Sequence, residues 1–323
     1  MIHQNRAQKS PFPAAVERQR SAAKDQPHYT ARMKPLNWYP GHMAKARRDI
    51  GKAMGKTEVI FEILDARLPF SSENPLVNSL RRDTPCIKVL NKKDLADPRV
   101  TQLWLTQLNR IPGVHAVALD SRDKRKAREL LPMARTLLRT DRNKDKPIQT
   151  MILGVPNVGK STLINTLAGR AIAKASNKPA VTKRQQIVRC PGNIHLIDTP
   201  GFLWPKLDPP ECGYRLAISG AIADNVLEYE HLGEFAARYF LERYPDRLRE
   251  RFKLETLPEG AIALLEAIAP KRGCLRKGGV IDLQKVSEVL VREFRNASMG
   301  PMSLEEPKDM PTSWSNDDGV ESA

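Results

Sequence analysis

The sequence predicts an α/β domain, with a mostly parallel sheet and helices on both faces, followed by a small all-α domain. Three observations carry this. Between residues 58 and 206, short apolar runs alternate with helical stretches, the pattern of a parallel sheet with crossover helices. Beyond about residue 206 the apolar spacing is helical only. A glycine-rich loop of phosphate-binding type follows one predicted strand and opens a predicted helix, the setting that motif requires.

Taken in order, residues 1–33 are polar, basic and proline-containing with little periodicity, and read as a disordered extension. Two origins stay open for it. Arg6, Arg18, Arg20 and Arg32 with few acids suit a mitochondrial transit peptide. Met33, just ahead of the first ordered-looking motif, suits a misassigned start. Residues 34–206 form the α/β domain. A helix is expected over 44–56, where Lys45, Arg48, Lys52 and Lys56 recur at spacings of three and four and share one face. That stripe is either a solvated face or one that meets phosphates. Strands are expected over 58–65, 85–90, 114–119, 148–153 and 193–197, with a helix over 124–139.

Residues 207–300 read as the helical domain. Its clearest helices are expected over 227–244, 258–269 and 281–296. In the last, Asp282 is placed to cap the N-terminus. Leu283, Val286, Leu290 and Phe294 form an apolar stripe that reads as core packing. Residues 301–323 are acidic and proline-containing and read as a flexible tail.

The chain has 323 residues, 41% of them apolar, with a formal net charge of +16. A packed core is within reach of this composition. No apolar run approaches the length of a membrane-spanning helix, so no membrane partner is expected. The tail holds six acids and one base, which leaves residues 1–300 with 52 bases against 31 acids. Such a surplus attracts a polyanion, and nucleic acid is the expected one because the excess is spread over folded-looking segments. The alternative is solubility alone. Cys86, Cys190, Cys212 and Cys274 are far apart, with no Cys-x-x-Cys spacing. Buried free thiols are expected rather than zinc ligands or disulfides.

The chemistry sits in three motifs. Gly154-Val155-Pro156-Asn157-Val158-Gly159-Lys160-Ser161 is a phosphate loop, continued by Thr162 into a helix. Its backbone N–H groups wrap phosphates, and the helix N-terminus adds positive potential. Lys160 is expected to reach the β- and γ-phosphates, and the Ser161 hydroxyl to bind Mg²⁺. Asn91-Lys92-Lys93-Asp94 ends a strand. The Asp94 carboxylate can accept from N1–H and the N2 amine of guanine, and adenine offers neither donor, so this is a guanine-reading motif. Asn91 would tie that loop to the base and to the phosphate loop. Ser121, after the next strand, is the expected backbone contact to guanine O6. Asp198-Thr199-Pro200-Gly201 follows an apolar strand. Asp198 is expected in the Mg²⁺ shell, and the Gly201 amide at the γ-phosphate. Between the phosphate loop and this motif lies Thr182, the candidate switch threonine that closes on Mg²⁺. Phe202 stands where many small GTPases carry a water-orienting glutamine. Asn157 occupies the position of an asparagine found in GTPases that recruit K⁺ beside the phosphates, a cation that would offset developing charge.

In an ordinary GTPase the phosphate loop comes first. Here the guanine motif leads by some sixty residues. The order implies a circularly permuted P-loop GTPase domain that binds GTP and GDP. The charged stretch 140–147 is where the old termini would be joined.

The chain resembles the circularly permuted ribosome biogenesis GTPase A family. The resemblance runs from about Asn37 to Pro307. It rests on Trp38-Tyr39-Pro40-Gly41-His42-Met43-Ala44-Lys45-Ala46-Arg47-Arg48, Leu64-Asp65-Ala66-Arg67-Leu68-Pro69, the motif order, Arg272-Gly273-Cys274-Leu275-Arg276-Lys277-Gly278-Gly279, and Met302-Ser303-Leu304-Glu305-Glu306-Pro307. It implies a factor acting late in large-subunit assembly, with a GTPase stimulated by the 50S subunit and a helical domain that contacts ribosomal RNA; a monomer is expected. Lys45, Arg48, Lys52, Lys271, Arg272, Arg276 and Lys277 are the candidate RNA contacts. It also implies that His42 assists hydrolysis in place of the missing glutamine. A bacterial cytoplasmic location follows, with the mitochondrial matrix as the alternative. Departures are the extension 1–33, the polar tail, and Pro179-Ala180-Val181-Thr182 where a Pro-Gly-x-Thr form is common. A placeholder that binds RNA and uses GTP only structurally is the competing reading, since Phe202 permits it.

Overall fold

A computed structural model describes residues 50–138, 145–173 and 186–311. The expectations for His42, Lys45, Arg48 and Thr182 lie outside the described residues, as do the whole of 1–33 and most of the join at 140–147.

Six strands form one sheet: β1 (Val59–Asp65), β2 (Cys86–Asn91), β3 (Val114–Ala118), β4 (Ile148–Gly154), β5 (Gln186–Cys190) and β6 (Ile194–Asp198). Their order is β3-β2-β1-β4-β6-β5. All neighbours are parallel except β5, which pairs antiparallel with β6. Central parallel strands are covered on both faces and so read as continuous apolar runs; every residue of β1 is buried. Glu62 in β1 is the exception in chemistry. Lys88 of β2 meets it at 2.7 Å and meets Glu73 at 2.8 Å, so the charges share one another's burial. Glu62 also accepts from Asn74 N at 3.1 Å, which holds the loop after β1 against the sheet.

The expected strands are present within a residue or two, and β5 is an addition. Only Val188 and Cys190 of β5 point inward, and Ile187 is exposed, so its pattern is too short to register. The turn to β6 runs through Gly192 and Asn193, both at positive φ, residue types that tolerate this conformation and mark hairpins.

On the sheet faces lie α1 (Pro69–Ser72), α2 (Pro75–Arg81), α3 (Pro98–Leu108), α4 (Lys124–Arg128), α5 (Leu130–Thr136) and α6 (Lys160–Ala168). Asp97 caps α3 by accepting from Arg99 N and Val100 N. The single helix expected over 124–139 is two short helices. Pro132 has no N–H for the carbonyl four residues back and its ring crowds that turn, so the helix breaks at Glu129.

The helical region contains α7 (Pro210–Ser219), α8 (Tyr229–Arg243), α9 (Pro245–Phe252), α10 (Ala261–Ile268) and α11 (Leu283–Arg295). The Asp282 side chain caps α11 by accepting from Lys285 N at 3.1 Å. Val286, Leu290 and Phe294 are buried, and the Phe294 ring stacks on Phe240 with centroids 5.5 Å apart. All four cysteines are free and buried. Burial pushes the Cys86 and Cys212 thiols up to about 12, so they are inert at neutral pH.

One expectation fails at the C-terminus. Residues 302–306, read as the start of a flexible tail, are buried. They form a strap between the two regions. Met302 N donates to Leu95 O at 3.0 Å and Leu304 N to Arg67 O at 2.7 Å. Ser303 N donates to the Tyr244 hydroxyl at 2.9 Å. Trp104 Nε1 donates to Glu305 O at 3.2 Å. The Glu305 carboxylate accepts from Ser71 Oγ at 2.5 Å, Ser71 N at 3.0 Å and Arg215 Nη1 at 3.4 Å. Acidic residues buried with this many donors are structural, which an exposure reading from charge alone cannot see.

Candidate nucleotide site

Parallel strands deliver their C-terminal ends to one edge, where ligands of such sheets bind. Here that edge collects Asp65 from β1, Asn91 from β2, Gly154 from β4 and Asp198 from β6. Motifs far apart in the chain therefore meet. Asn91 Nδ2 donates to Val158 O in the phosphate loop at 2.7 Å, and Asn91 Oδ1 accepts from Ser121 N at 2.9 Å. One buried amide thus joins the guanine motif, the loop after β3 and the phosphate loop. Thr166 of α6 completes the connection by donating to Ser121 O at 2.8 Å. The Ser121 N–H, expected at guanine O6, is engaged by Asn91, so Ser121 fixes the loop.

The phosphate loop has the conformation its composition allows. Gly159 sits at φ +97°, and a Cβ there would fall on the Asn91 amide. Only glycine meets both conditions. Lys160, 6% exposed, forms an ion pair with Oδ1 of Asp198, which is fully buried. Gln186 Nε2 donates to the other oxygen at 3.0 Å. Ser161 and Thr162 follow in the first turn of α6. Gly201 lies flat against the loop, where an added Cβ would stand 3.1 Å from Pro156 Cα. Phe202 is buried and lines an apolar groove with Pro75, Leu76 and Trp204.

Mg²⁺ takes few protein ligands and completes its shell with phosphate and water oxygens. The residues fit that habit. Asp198 offers a buried carboxylate and Ser161 a hydroxyl, and among the described residues no cluster of three His, Cys, Asp or Glu side chains forms. Triphosphate oxygens and Mg²⁺ entering between Lys160 and Asp198 would give each charge a new partner, so neither is left buried alone.

The guanine motif is tied to the strap. Lys92 at φ +59° donates through Nζ to Asp65 Oδ2 at 3.0 Å. Arg67 grips the same carboxylate with Nε at 2.9 Å and Nη2 at 2.7 Å. Burial alone would raise the Asp65 carboxyl, but Arg67 and Lys92 hold it well below the usual carboxylate range. The Arg67 guanidinium then lies 4.9 Å from the centre of the Phe294 ring of α11, within cation–π distance. Asp94 itself accepts from Arg122 Nη2 at 2.7 Å, and Arg122 also grips Asp120. Asp65, Arg67, Arg122 and Gln186 were not among the expected site residues. A charged Asp-x-Arg closing an apolar strand was the available signal for the first two.

The candidate RNA contacts divide. Lys52, Lys271 and Lys277 are exposed. Arg276 is exposed and paired with Asp282 at 3.0 Å. Arg272 stacks on Phe252 at 5.0 Å and pairs with Glu293 at 3.1 Å, so part of its role is internal. No described helix is long and apolar enough to cross a membrane.

A family model described as a 50S ribosome-binding GTPase matches residues 149–230. It begins at the phosphate-loop strand, so the guanine motif at 91–94 stands ahead of it, as permutation requires. A ribosome biogenesis GTPase A from Bacillus pumilus is 40% identical over 280 residues, covering 84% of this chain and 99% of that protein. A mitochondrial ribosome-associated GTPase 1 from Ictalurus punctatus is 33% identical over 299 residues, covering 83% and 92%. A crystal structure of GNP-bound YlqF from T. maritima aligns with TM-score 0.59 and 25% identity, covering 82% of this chain and all of that one.

Proposed function

The chain belongs to the ribosome biogenesis GTPase A family, and from that membership we propose that it hydrolyses GTP as an assembly factor in late maturation of the large ribosomal subunit. The observation that carries the reading is the Asn91 amide, which joins guanine motif and phosphate loop across the permuted chain.

In this reading Asp94 selects guanine and Lys160 moves from Asp198 to the β- and γ-phosphates. Ser161 and Asp198 hold Mg²⁺, which when bound spreads the phosphate charge. The Gly201 N–H faces the γ-phosphate, Val158, Gly159 and Thr162 donate backbone N–H groups to the phosphates, and Asn157 ligates K⁺. Thr182 closes on the metal, and His42 assists the attacking water that Phe202 cannot orient. Turnover alone is slow and rises on the 50S subunit. The basic surface holds ribosomal RNA with salt-dependent affinity, through residues such as Lys52, Lys271 and Lys277. The protein is a monomer of the bacterial cytoplasm, or of the mitochondrial matrix if residues 1–33 are a transit peptide.

Phosphate release measured with and without 50S subunits in K⁺ buffer tests this. Stimulation of about 10-fold or more is expected, a barrier change of about 1.4 kcal/mol or more. The buried Phe202 favours a second reading, in which GTP serves only to hold the protein on RNA. Unstimulated turnover would select it.

A further inference from the structure

The phosphate loop is bonded directly to the helical region. Asn157 Nδ2 donates to Gly220 O at 3.0 Å. Gly220 is the C-cap of α7, at φ +87°. The last carbonyls of any helix lack partners within it. In α7, Gly220 N and Ala221 N reach Ala217 O and Leu216 O, and Arg295 of α11 reaches two of the carbonyls. Its Nε donates to Ile218 O at 2.9 Å and its Nη2 to Ala217 O at 2.9 Å. Arg295 also pairs with Asp224 at 2.9 Å. A cation at this end suits the negative pole of the helix. A Cβ on Gly220 would stand 3.5 Å from Arg295 Nε and 3.8 Å from Asn157 Nδ2, so all three groups meet at one point.

This geometry bears on Asn157. A side-chain amide has one acceptor oxygen and one donor nitrogen. Donation from Nδ2 to Gly220 fixes which way the amide is turned, and therefore where Oδ1 lies. Oδ1 is the atom that can ligate a cation. Asn157 itself holds φ +59°, a conformation asparagine tolerates, so backbone and side chain are both set.

We propose that Arg295 is a positioning residue for hydrolysis. By holding the end of α7 it places the Gly220 carbonyl, which orients the Asn157 amide toward the monovalent cation. The helical region thus sets the cation dependence of a reaction it does not touch. This rests on the reading of Asn157 as a K⁺ ligand.

The test is a K⁺ titration of GTP turnover by the full chain with 50S subunits, with Na⁺ as replacement. Arg295→Ala is expected to raise the K⁺ needed for half-maximal turnover about tenfold, the value of one lost orienting hydrogen bond. Arg295→Lys, which keeps the charge at the helix end, should fall between Arg295→Ala and wild type. Arg295→Ala and Asn157→Ala should not add in a double-mutant cycle, because they act on one device. Thermal melts identify any variant that fails to fold, and Arg295→Lys then carries the test. An unchanged K⁺ requirement, or additive effects, overturns the proposal and leaves the K⁺ reading intact. A wild-type enzyme indifferent to K⁺ overturns both.

Discussion

Glu305→Ala probes the strap that fastens the helical region to the guanine loop. Glu305 is fully buried and accepts from Ser71 Oγ, Ser71 N and Arg215 Nη1. Removing the carboxylate leaves Arg215, 8% exposed, without this partner, and leaves a buried hydroxyl and amide unmet. Breaking a buried pair from one side costs about 3–5 kcal/mol. For a domain of this size that lowers Tm by roughly 6–20 °C. Glu306 is the internal control. It pairs with Arg99 at 2.7 Å and Lys308 at 3.1 Å, which are 67% and 64% exposed, and reaches the half-buried Arg243 only at 3.8 Å. Solvent-exposed pairs are worth about 0–1 kcal/mol, so Glu306→Ala should lower Tm by only about 0–4 °C. Scanning calorimetry of both variants at pH 7 reads the difference. Equal shifts for neighbouring glutamates would refute the claim that burial of the strap, rather than charge, holds it down.

Three further outcomes test the proposed function. Asp65→Asn should destabilise by about 3–5 kcal/mol at neutral pH, since Arg67 keeps its burial and loses its charge partner. Because the folded Asp65 carboxyl is lowered, its stabilisation is present above the unfolded value near 4 and fades as pH falls toward the folded value. Denaturant titrations from pH 7 to 3 should therefore show the variant's deficit shrinking below about pH 4; a constant deficit would remove the ionic account. Asp94→Asn should cost about 100-fold or more in GTP affinity and admit xanthosine triphosphate, read by competition binding, and a retained preference for GTP would sink the base-reading role. His42→Ala should bind GTP normally and lose 50S-stimulated phosphate release; stimulation at the wild-type level would exclude His42 from the reaction.

Much of the fold was legible because its signals are local. Five strands end in motifs or turns that a single window contains, and the Asp282 cap sits beside the helix it starts. The guanine and phosphate motifs were legible for the same reason. What escaped depends on distant residues. β5 has two inward side chains and owes its pairing to β6. Residues 302–306 look acidic and loose, yet their partners Arg67, Ser71 and Arg215 lie 90 to 240 positions away. Asn157 was legible as a loop residue, while its bond to Gly220 crosses 63 positions. The split at Glu129 was available in principle, since Pro132 stands inside the expected helix and forbids its continuity.

In the permuted order, residues 201–206 run from Gly201 directly into the helical region, a route by which GTP turnover would re-aim that region. The contacts limit this. The helical region and its strap are held to the α/β domain at Asn157–Gly220, Leu304–Arg67, Met302–Leu95 and twice at Glu305–Ser71. The three neutral bonds are worth about 1 kcal/mol each, and the two from Ser71 to the Glu305 carboxylate about 1.5–3 kcal/mol each. Reversing a two-state population from 1:99 to 99:1 takes about 5.5 kcal/mol of differential binding. Freeing the region altogether asks for at least that much, all of it from one γ-phosphate. Releasing the Asn157 contact alone asks for about 1 kcal/mol. The nucleotide can therefore set the fine placement of α7 by itself, and a larger swing needs the binding energy of the ribosomal subunit, which links reorientation to arrival on the particle rather than to hydrolysis in solution.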